Sequence, residues 1–453
     1  MVHHVQQPRS FGVANLFDGM SKKADNDLST ETAVAGGEDR ISALPDDVLG
    51  HLLSFLPSRN VVRTCVLAKR WCTLWKSVPA LRIKDDPLGQ LAYEDPADSE
   101  GDSVDEPGYD DMHDSSTFVN ELLRLRDPTP LDVCEIFSSY GDMGTYDDED
   151  YDIFVGFQYE TFQRIEPWIL YALSHEVQVL RLEGALWTTN LALVSSHLKR
   201  IEVISIRFDG YLDFSSCPVL DVLELSSCII CGNILSQSLR HLIIDYGIFI
   251  NDVHCRISAP NLISLKLDQD SGLAPLLDSM PSLVTAYVGE SNEYIQKNGE
   301  VSFSVVLEGL SSATNLELIT PFYQYSIFEM DLKWCPMFSK LKTLLLNGWC
   351  LAHNFTGMVY FLQHSPILET LQLDFQKHEE YYSIETHESC NSREQSYNSK
   401  DQSLLSKHLK VVKIICGKKV AVIVQRILKI LYTHGVPSEQ IDIQYECCSS
   451  ASI

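Results

Sequence analysis

"CPVLDVLELSSC" (217–228) sets Leu220, Leu223 and Leu225 in the order Leu-x-x-Leu-x-Leu, with Pro218 two residues ahead. The last two apolar positions alternate with polar neighbours, so both point to one face of a short strand. The proline ends whatever helical or irregular segment precedes the strand. The pattern recurs, with apolar substitutes, from Val177 (177/180/182), Leu198 (198/201/203), Leu239 (239/242/244), Leu262 (262/265/267) and Leu283 (283/286/288). It continues more weakly from Ala313, then strongly from Leu341 (341/344/346) and Leu368 (368/371/373), with a last copy at Leu409, Val412 and Ile414. Successive starts from Val177 lie 21, 22, 19, 23, 21, 30, 28, 27 and 41 residues apart. Pro260, Pro281 and Pro366 repeat the position of Pro218.

A unit of roughly 20–30 residues cannot bury such a face alone, so neighbouring units stack and their strands form a curved parallel sheet. The expected fold is therefore α/β, a leucine-rich-repeat solenoid of irregular period. Residues 223 and 225, 265 and 267, 344 and 346, and 371 and 373 are expected in its core. The leucines are core rather than site. Positions between and beside them, for example Glu224, Lys266, Thr343 and Gln372, are expected on the concave face, where they mix signs and sizes. At the C-terminus, "HLKVVKIICGKKVAVIVQRILKILYTHGVPSEQIDIQY" (408–445) reads as strand, turn, helix, a stop at Gly435, then Pro437 and an alternating strand at Ile441, Ile443 and Tyr445. A solenoid needs such an atypical unit to cover its last open face.

The N-terminal part has another pattern. In "DRISALPDDVLGHLLSFLPSRNVVRTCVLAKRWCTLW" (39–75), Pro45 suits a first helical turn and Asp46 and Asp47 favour its positive end. Leu49, Leu52, Leu53 and Leu56 fall at i, i+3, i+4 and i+7. Pro57 stops that helix. Ser58 is placed to cap a second, carrying Val61, Val62, Cys65 and Val66, and a third short helix holds Trp71, Leu74 and Trp75. Three helices in about forty residues are near the lower limit for a self-sufficient core. Either this is a small cap with a private core, or part of the apolar face belongs to a partner.

"LPDDVLGHLLSFLP" followed by "VVRTCVLAKRWCTLW" resembles the F-box, specifically its plant form, with the Leu-Pro-x-Asp opening and the late Arg-Trp pair. That resemblance implies docking to a Skp-type adaptor and, through it, a cullin. By the same resemblance Leu44, Pro45, Val48, Leu49, Leu53, Leu56, Pro57 and Val61 would line the interface. The 408–445 segment resembles, in truncated form, the FBD element of plant F-box/leucine-rich-repeat proteins. Together the three parts resemble the grass-type F-box/FBD/LRR-repeat proteins. The family implies a non-catalytic substrate adaptor of SCF ubiquitin ligases, in nucleus or cytoplasm, with an unidentified target at the repeats. The alternative is an interaction scaffold with a vestigial F-box.

The expected organisation is a disordered N-terminus (1–38), F-box (39–84), acidic linker (85–116), solenoid (117–403), FBD-like cap (404–446) and tail (447–453). Net charge is −27 over 453 residues, with twelve carboxylates and no Lys or Arg between Asp85 and Asp114. Over Asp39–Lys84, eight Lys or Arg face three Asp, a net of +5 that suits an acidic partner. No clustered basic face suggests nucleic acid. No apolar run is long enough to span a membrane, and the 13 cysteines follow no framework spacing, so reduced thiols are expected. "CIIC" (Cys228, Cys231), with His254 and Cys255 later, lacks the second tightly spaced pair of a structural zinc site, and Cys228 sits where such repeats place Asn or Cys. No H-E-x-x-H, G-x-S-x-G or P-loop occurs; "GKK" at Gly417 lacks the flanking residues of a phosphate loop. No cofactor, metal or enzymatic activity is expected.

Overall fold

The computed structural model describes residues 41, 43–85, 109–138, 151–188, 193–250, 254–290, 306–320, 328, 336–375, 408–417 and 421–445. The expected disordered N-terminus, the 447–453 tail and most of the acidic stretch lie outside them. The chain divides into two compact units, Met1–Ala185 and Leu186–Ile453.

The first unit begins with three short helices, α1 (Asp46–Leu53), α2 (Ser58–Arg63) and α3 (Trp71–Leu74), and runs directly into strand β1 (Ala80–Asp85). Pro45 and Pro57 are the N-caps of α1 and α2, in extended backbone. The Pro57 carbonyl accepts the amides of Asn60 and Val61 at 2.8 and 3.0 Å, so α2 starts without a side-chain cap. Ser58, expected to cap that helix, lies inside it and turns its hydroxyl to β1 instead. Helix α4 (Tyr109–Leu125) then leads to β2 (Val133–Ser138), and helix α5 (Tyr151–Ser174) to β3 (Val179–Thr188). The three strands are parallel, with Leu81 beside Cys134 beside Leu180, and Ile83 beside Ile136 beside Leu182. All six are buried. Trp168 of α5, fully buried, donates its Nε1–H to Asn120 Oδ1 of α4 at 3.0 Å.

The repeat therefore starts earlier than its leucines announce. Val78, Leu81 and Ile83 form one copy and Leu131, Cys134 and Ile136 another, all buried. The first copy lies inside the 39–84 segment. β1 and β2 are hydrogen-bonded neighbours, so the acidic stretch expected as a linker falls within one strand–helix–strand connection, and residues 109–114 of it begin α4.

In the second unit the principal strands are β4 (Arg200–Phe208), β6 (Val222–Ser226), β9 (His241–Phe249), β11 (Ser264–Gly272), β13 (Thr285–Glu290), β14 (Asn315–Ile319), β15 (Thr343–Asn347), β16 (Thr370–Asp374), β17 (Val411–Cys416) and β18 (Ile441–Tyr445). They pair in parallel in that order. The register keeps the repeat in columns. Ile201, Leu223, Leu242, Leu265, Ala286, Leu316, Leu344, Leu371 and Val412 are successive partners, as are Val203, Leu225, Ile244, Leu267, Val288, Leu318, Leu346, Leu373 and Ile414. Each member is buried, the least so at 4% exposure. The expected inward pairs at 223/225, 265/267, 344/346 and 371/373 all belong to these columns.

A feature the repeat pattern does not announce is a second parallel sheet, ordered β12–β10–β8–β5 and built from β5 (Leu212–Asp213), β8 (Ile234–Leu235), β10 (Arg256–Ser258) and β12 (Leu276–Leu277). Along the principal sheet the backbone bends through left-handed residues at Ser205 in β4, Ser227 just after β6 and Tyr246 in β9, each two positions after its inward strand residue. At Gly272 (φ 93°) a side chain would run into the backbone of Phe249, so this bend requires glycine.

Two donors close the gap between strands. The Cys228 thiol, three residues after Leu225, is buried and donates to the Val203 carbonyl of the preceding repeat at 3.5 Å. Trp349 stands three residues after Leu346 and donates its Nε1–H to the Leu318 carbonyl at 3.0 Å. The position wants a buried donor rather than one residue type, because the carbonyl it faces is out of reach of water.

The C-terminus follows the expected strand–helix–strand order: β17, helix α6 (Ala421–Thr433) and β18, with Gly435 left-handed (φ 84°) just past the helix. Val424, Ile427 and Leu431 of α6 are buried, while β18 is half covered. The molecule thus consists of an N-terminal three-helix module, a solenoid-like run of parallel repeats and a C-terminal α/β cap.

Candidate adaptor-docking site

Helix α1 carries more apolar surface than its own module can bury. Leu49 and Leu53, at i and i+4, are 0% and 2% exposed and pack inward with Val61, Trp71, Leu74 and Trp75. Val48, Leu52, Phe55 and Leu56 are 43%, 49%, 63% and 38% exposed. The stripe read from the sequence therefore splits lengthwise: one edge is core and the other faces water. At 100° per residue the arc from Val48 to Leu53 covers roughly 140° of the helix, and Phe55 and Leu56 in the turn after it add to the exposed side, more than one small core can cover.

The eight residues expected at an adaptor interface divide accordingly. Pro45, Val48 and Leu56 are exposed, Leu44 and Pro57 half-buried, and Leu49, Leu53 and Val61 buried. Leu52 and Phe55 were absent from that set but are more exposed than Val48 or Leu56, and Ile41, Val66 and Leu67 add further exposed apolar surface at 59%, 60% and 67%. The signal was present in the sequence, because Leu52 belongs to the same i, i+3 stripe, but spacing alone cannot say which edge of a wide stripe turns outward. His51 packs edge-on against Phe55, ring centroids 5.1 Å apart. Arg70, on the loop before α3, reaches Asp46 Oδ1 with its Nε at 2.7 Å and ties that loop to the first turn of α1. Both tryptophans are core: Trp75 donates its Nε1–H to the Cys72 carbonyl at 3.0 Å.

On the repeats, several solvent-facing side chains of the earlier principal strands are charged and paired with one another. Arg200 pairs with Glu202 and, at 2.8 Å, with Glu224. Lys266 reaches Asp245 at 2.5 Å, and that hydrogen bond holds its ammonium above the ordinary lysine range. Burial, with Asp268 and Glu317 nearby, pushes the Tyr287 phenol up to about 12. Thr343 and Gln372 follow on later strands, exposed and half-buried.

Of the CIIC cysteines, Cys228 faces the core as described, while Cys231 lies close to Cys255 and against Asp209 Oδ1 at 3.4 Å. The His254 ring nitrogen Nδ1 is turned to the Ala274 carbonyl at 2.7 Å. Among the described residues no group of three or more His, Cys, Asp or Glu could hold a metal ion. No described helix is long and apolar enough to cross a membrane.

A helical module with an outward apolar edge, followed by leucine-rich strands in register, defines an F-box protein with leucine-rich repeats, and comparison with known proteins agrees. Residues 41–82 match the F-box domain, and residues 170–436, more than half the chain, match the leucine-rich-repeat family described as "At1g61320/AtMIF1, LRR domain". The chain belongs to that leucine-rich-repeat family. Similar proteins include the "MEIOTIC F-BOX protein MOF" of Oryza sativa subsp. japonica, 26% identical over 74% of this chain and 71% of the relative. The "F-box/FBD/LRR-repeat protein At5g22660" of Arabidopsis thaliana is 23% identical over 75% of this chain and 71% of its own length. The "FBD-associated F-box protein At5g56370" of the same plant is 26% identical over 74% and 75%. An F-box joined to such repeats is typical of substrate-adaptor subunits of SCF ligases.

Proposed function

We propose that this chain is the substrate-recognition subunit of an SCF-type (cullin–RING) ubiquitin ligase of the grass-type F-box/FBD/LRR arrangement, working in nucleus or cytoplasm. Its helical module docks a Skp-type adaptor, and its repeats hold a target protein. The observation that carries this reading is the exposed apolar edge Val48–Leu52–Phe55–Leu56, backed by a packed core of Leu49, Leu53 and Val61. Contiguous apolar surface on a small helical module is what a partner groove or helix covers. Leu44, Pro45, Val48, Leu56 and Pro57 contact the adaptor in this scheme, joined by Leu52 and Phe55, while Leu49, Leu53 and Val61 support them from beneath. The protein performs no bond chemistry: it raises the local concentration of a target lysine near the charged ubiquitin carrier. The paired charges on the strands, Arg200 with Glu224 and Lys266 with Asp245, are available to exchange partners with a target.

The test is capture of a purified Skp-type adaptor by the full chain carrying Leu52→Ser with Phe55→Ser, beside a thermal melt of the same variant. Losing two central anchors costs about 2–4 kcal/mol of binding, a roughly thirty- to thousandfold weakening, with the melt unchanged. Undiminished capture would overturn the proposal.

A further inference from the structure

The F-box holds two thiols side by side. Cys65 lies in the 3-10 turn Thr64–Val66 that continues α2, and Cys72 lies in the first turn of α3. The Cys72 Sγ stands 3.2 Å from the Cys65 carbonyl oxygen, and the Cys65 Sγ stands 3.8 Å from the carbonyl of Trp71, the residue next to Cys72. Each sulfur thus lies against the backbone of the other cysteine or of its neighbour. Cys72 is the one exposed cysteine among the nine described, and Cys65 is half-buried; Cys134, Cys217, Cys228, Cys255, Cys350 and Cys416 are buried. A buried structural thiol is inert, whereas an exposed thiol beside a second one is the arrangement of an oxidant-responsive pair.

We propose that Cys65 and Cys72 are a reversible redox site that closes to a disulfide under mild peroxide. The exposed Cys72 thiolate attacks one oxygen of hydrogen peroxide. The O–O bond breaks, hydroxide leaves and takes up a proton as water, and the sulfur becomes a sulfenic acid. The Cys65 sulfur then attacks the Cys72 sulfur. The S–S bond forms, the S–O bond breaks, and the departing hydroxide leaves as a second water with the Cys65 proton. Two thiols lose two electrons in all, and peroxide gains them. The new bond staples the loop that displays Val66 and Leu67, both exposed. A dithiol reductant restores the open form.

The site is tested on the full chain alone, so its outcome does not depend on whether an adaptor binds. The reduced protein is treated with hydrogen peroxide, blocked with an alkylating reagent and mapped by peptide mass spectrometry. The expected result is a cross-linked pair of peptides containing Cys65 and Cys72, lighter by two hydrogens, reopened by dithiothreitol. Cys72→Ser and Cys65→Ser should each abolish it, and matching melts of the reduced variants show that they fold. Oxidation that stops at sulfinic acid on Cys72, a bond to any other cysteine instead, or no loss of alkylation at Cys72 would overturn the assignment.

Discussion

Ser58 Oγ, in the first turn of α2, accepts the backbone N–H of Arg82 in β1 at 2.9 Å, while the Arg82 Nε–H reaches back to the Ser54 carbonyl at 2.8 Å. The F-box helices are thereby fastened to the first strand of the repeats rather than held on a tether. Ser58→Ala deletes the acceptor and leaves a half-buried amide unpaired, which costs about 1–3 kcal/mol. Denaturant unfolding should show that loss, and hydrogen exchange at the Arg82 amide should quicken. Unchanged exchange there would mean water replaces the serine at no cost.

The buried and exposed sides of the 49–56 apolar stripe should respond in opposite ways. Leu49→Ala empties a fully buried site and should lower stability by about 2–5 kcal/mol. Leu56→Ala, at a position 38% exposed, should leave the melting temperature within a degree or two while weakening adaptor capture. If both variants melted early, Leu56 would belong to the module's own core, and the outward edge would be no docking surface.

Leu267 is 1% exposed, with Ile244 and Val288 as its strand partners. Leu267→Asp forces a carboxylate between stacked repeats and should cost more than about 4 kcal/mol, enough to lose the cooperative melt. Lys266→Ala, one residue away and solvent-facing, should change stability by less than about 1 kcal/mol, since its pair with Asp245 is partly exposed. Equal effects at the two positions would contradict the alternation of the strand.

Burial pushes the thiols of Cys134 and Cys255 from an ordinary value of 9.0 up to about 12. In the window between those values the unfolded chain has released protons that the folded chain still holds. Stability contributed by these thiols is present below the unfolded value and falls as pH rises through the window. The denaturation midpoint should therefore decline above about pH 9, and Cys134→Ala should flatten part of that decline. A decline of the same slope in wild type and variant would assign it to other groups.

The inward columns were legible because strand alternation is local. Leu223 and Leu225 lie two residues apart, and a period of two assigns both to one face whatever lies beyond. Two copies are less legible by that logic: at Leu131, Cys134 and Ile136 cysteine replaces the middle leucine, and Val78, Leu81 and Ile83 follow directly on the F-box helices. The second sheet was invisible for a different reason. Strands such as Leu212–Asp213 and Ile234–Leu235 are two residues long, too short for any period, and exist only because successive repeats present their backbones to one another.

By itself, then, the sequence determined the repeat, its inward residues, the strand–helix–strand ending and the presence of three N-terminal helices, all of which follow from spacing along a few neighbouring residues. The tertiary structure alone decided which edge of the α1 stripe faces water, because a helix buries whichever side its neighbours cover. Helix α3 and the turn at Trp75–Ser77 lie against α1, whose Leu49 and Leu53 are buried while Leu52 and Phe55 stay outside. It also decided that the first repeat strand grows directly out of the F-box. No residue in 78–83 announces a parallel partner some fifty positions away, and only the hydrogen bonds between β1 and β2 across the acidic stretch establish that pairing.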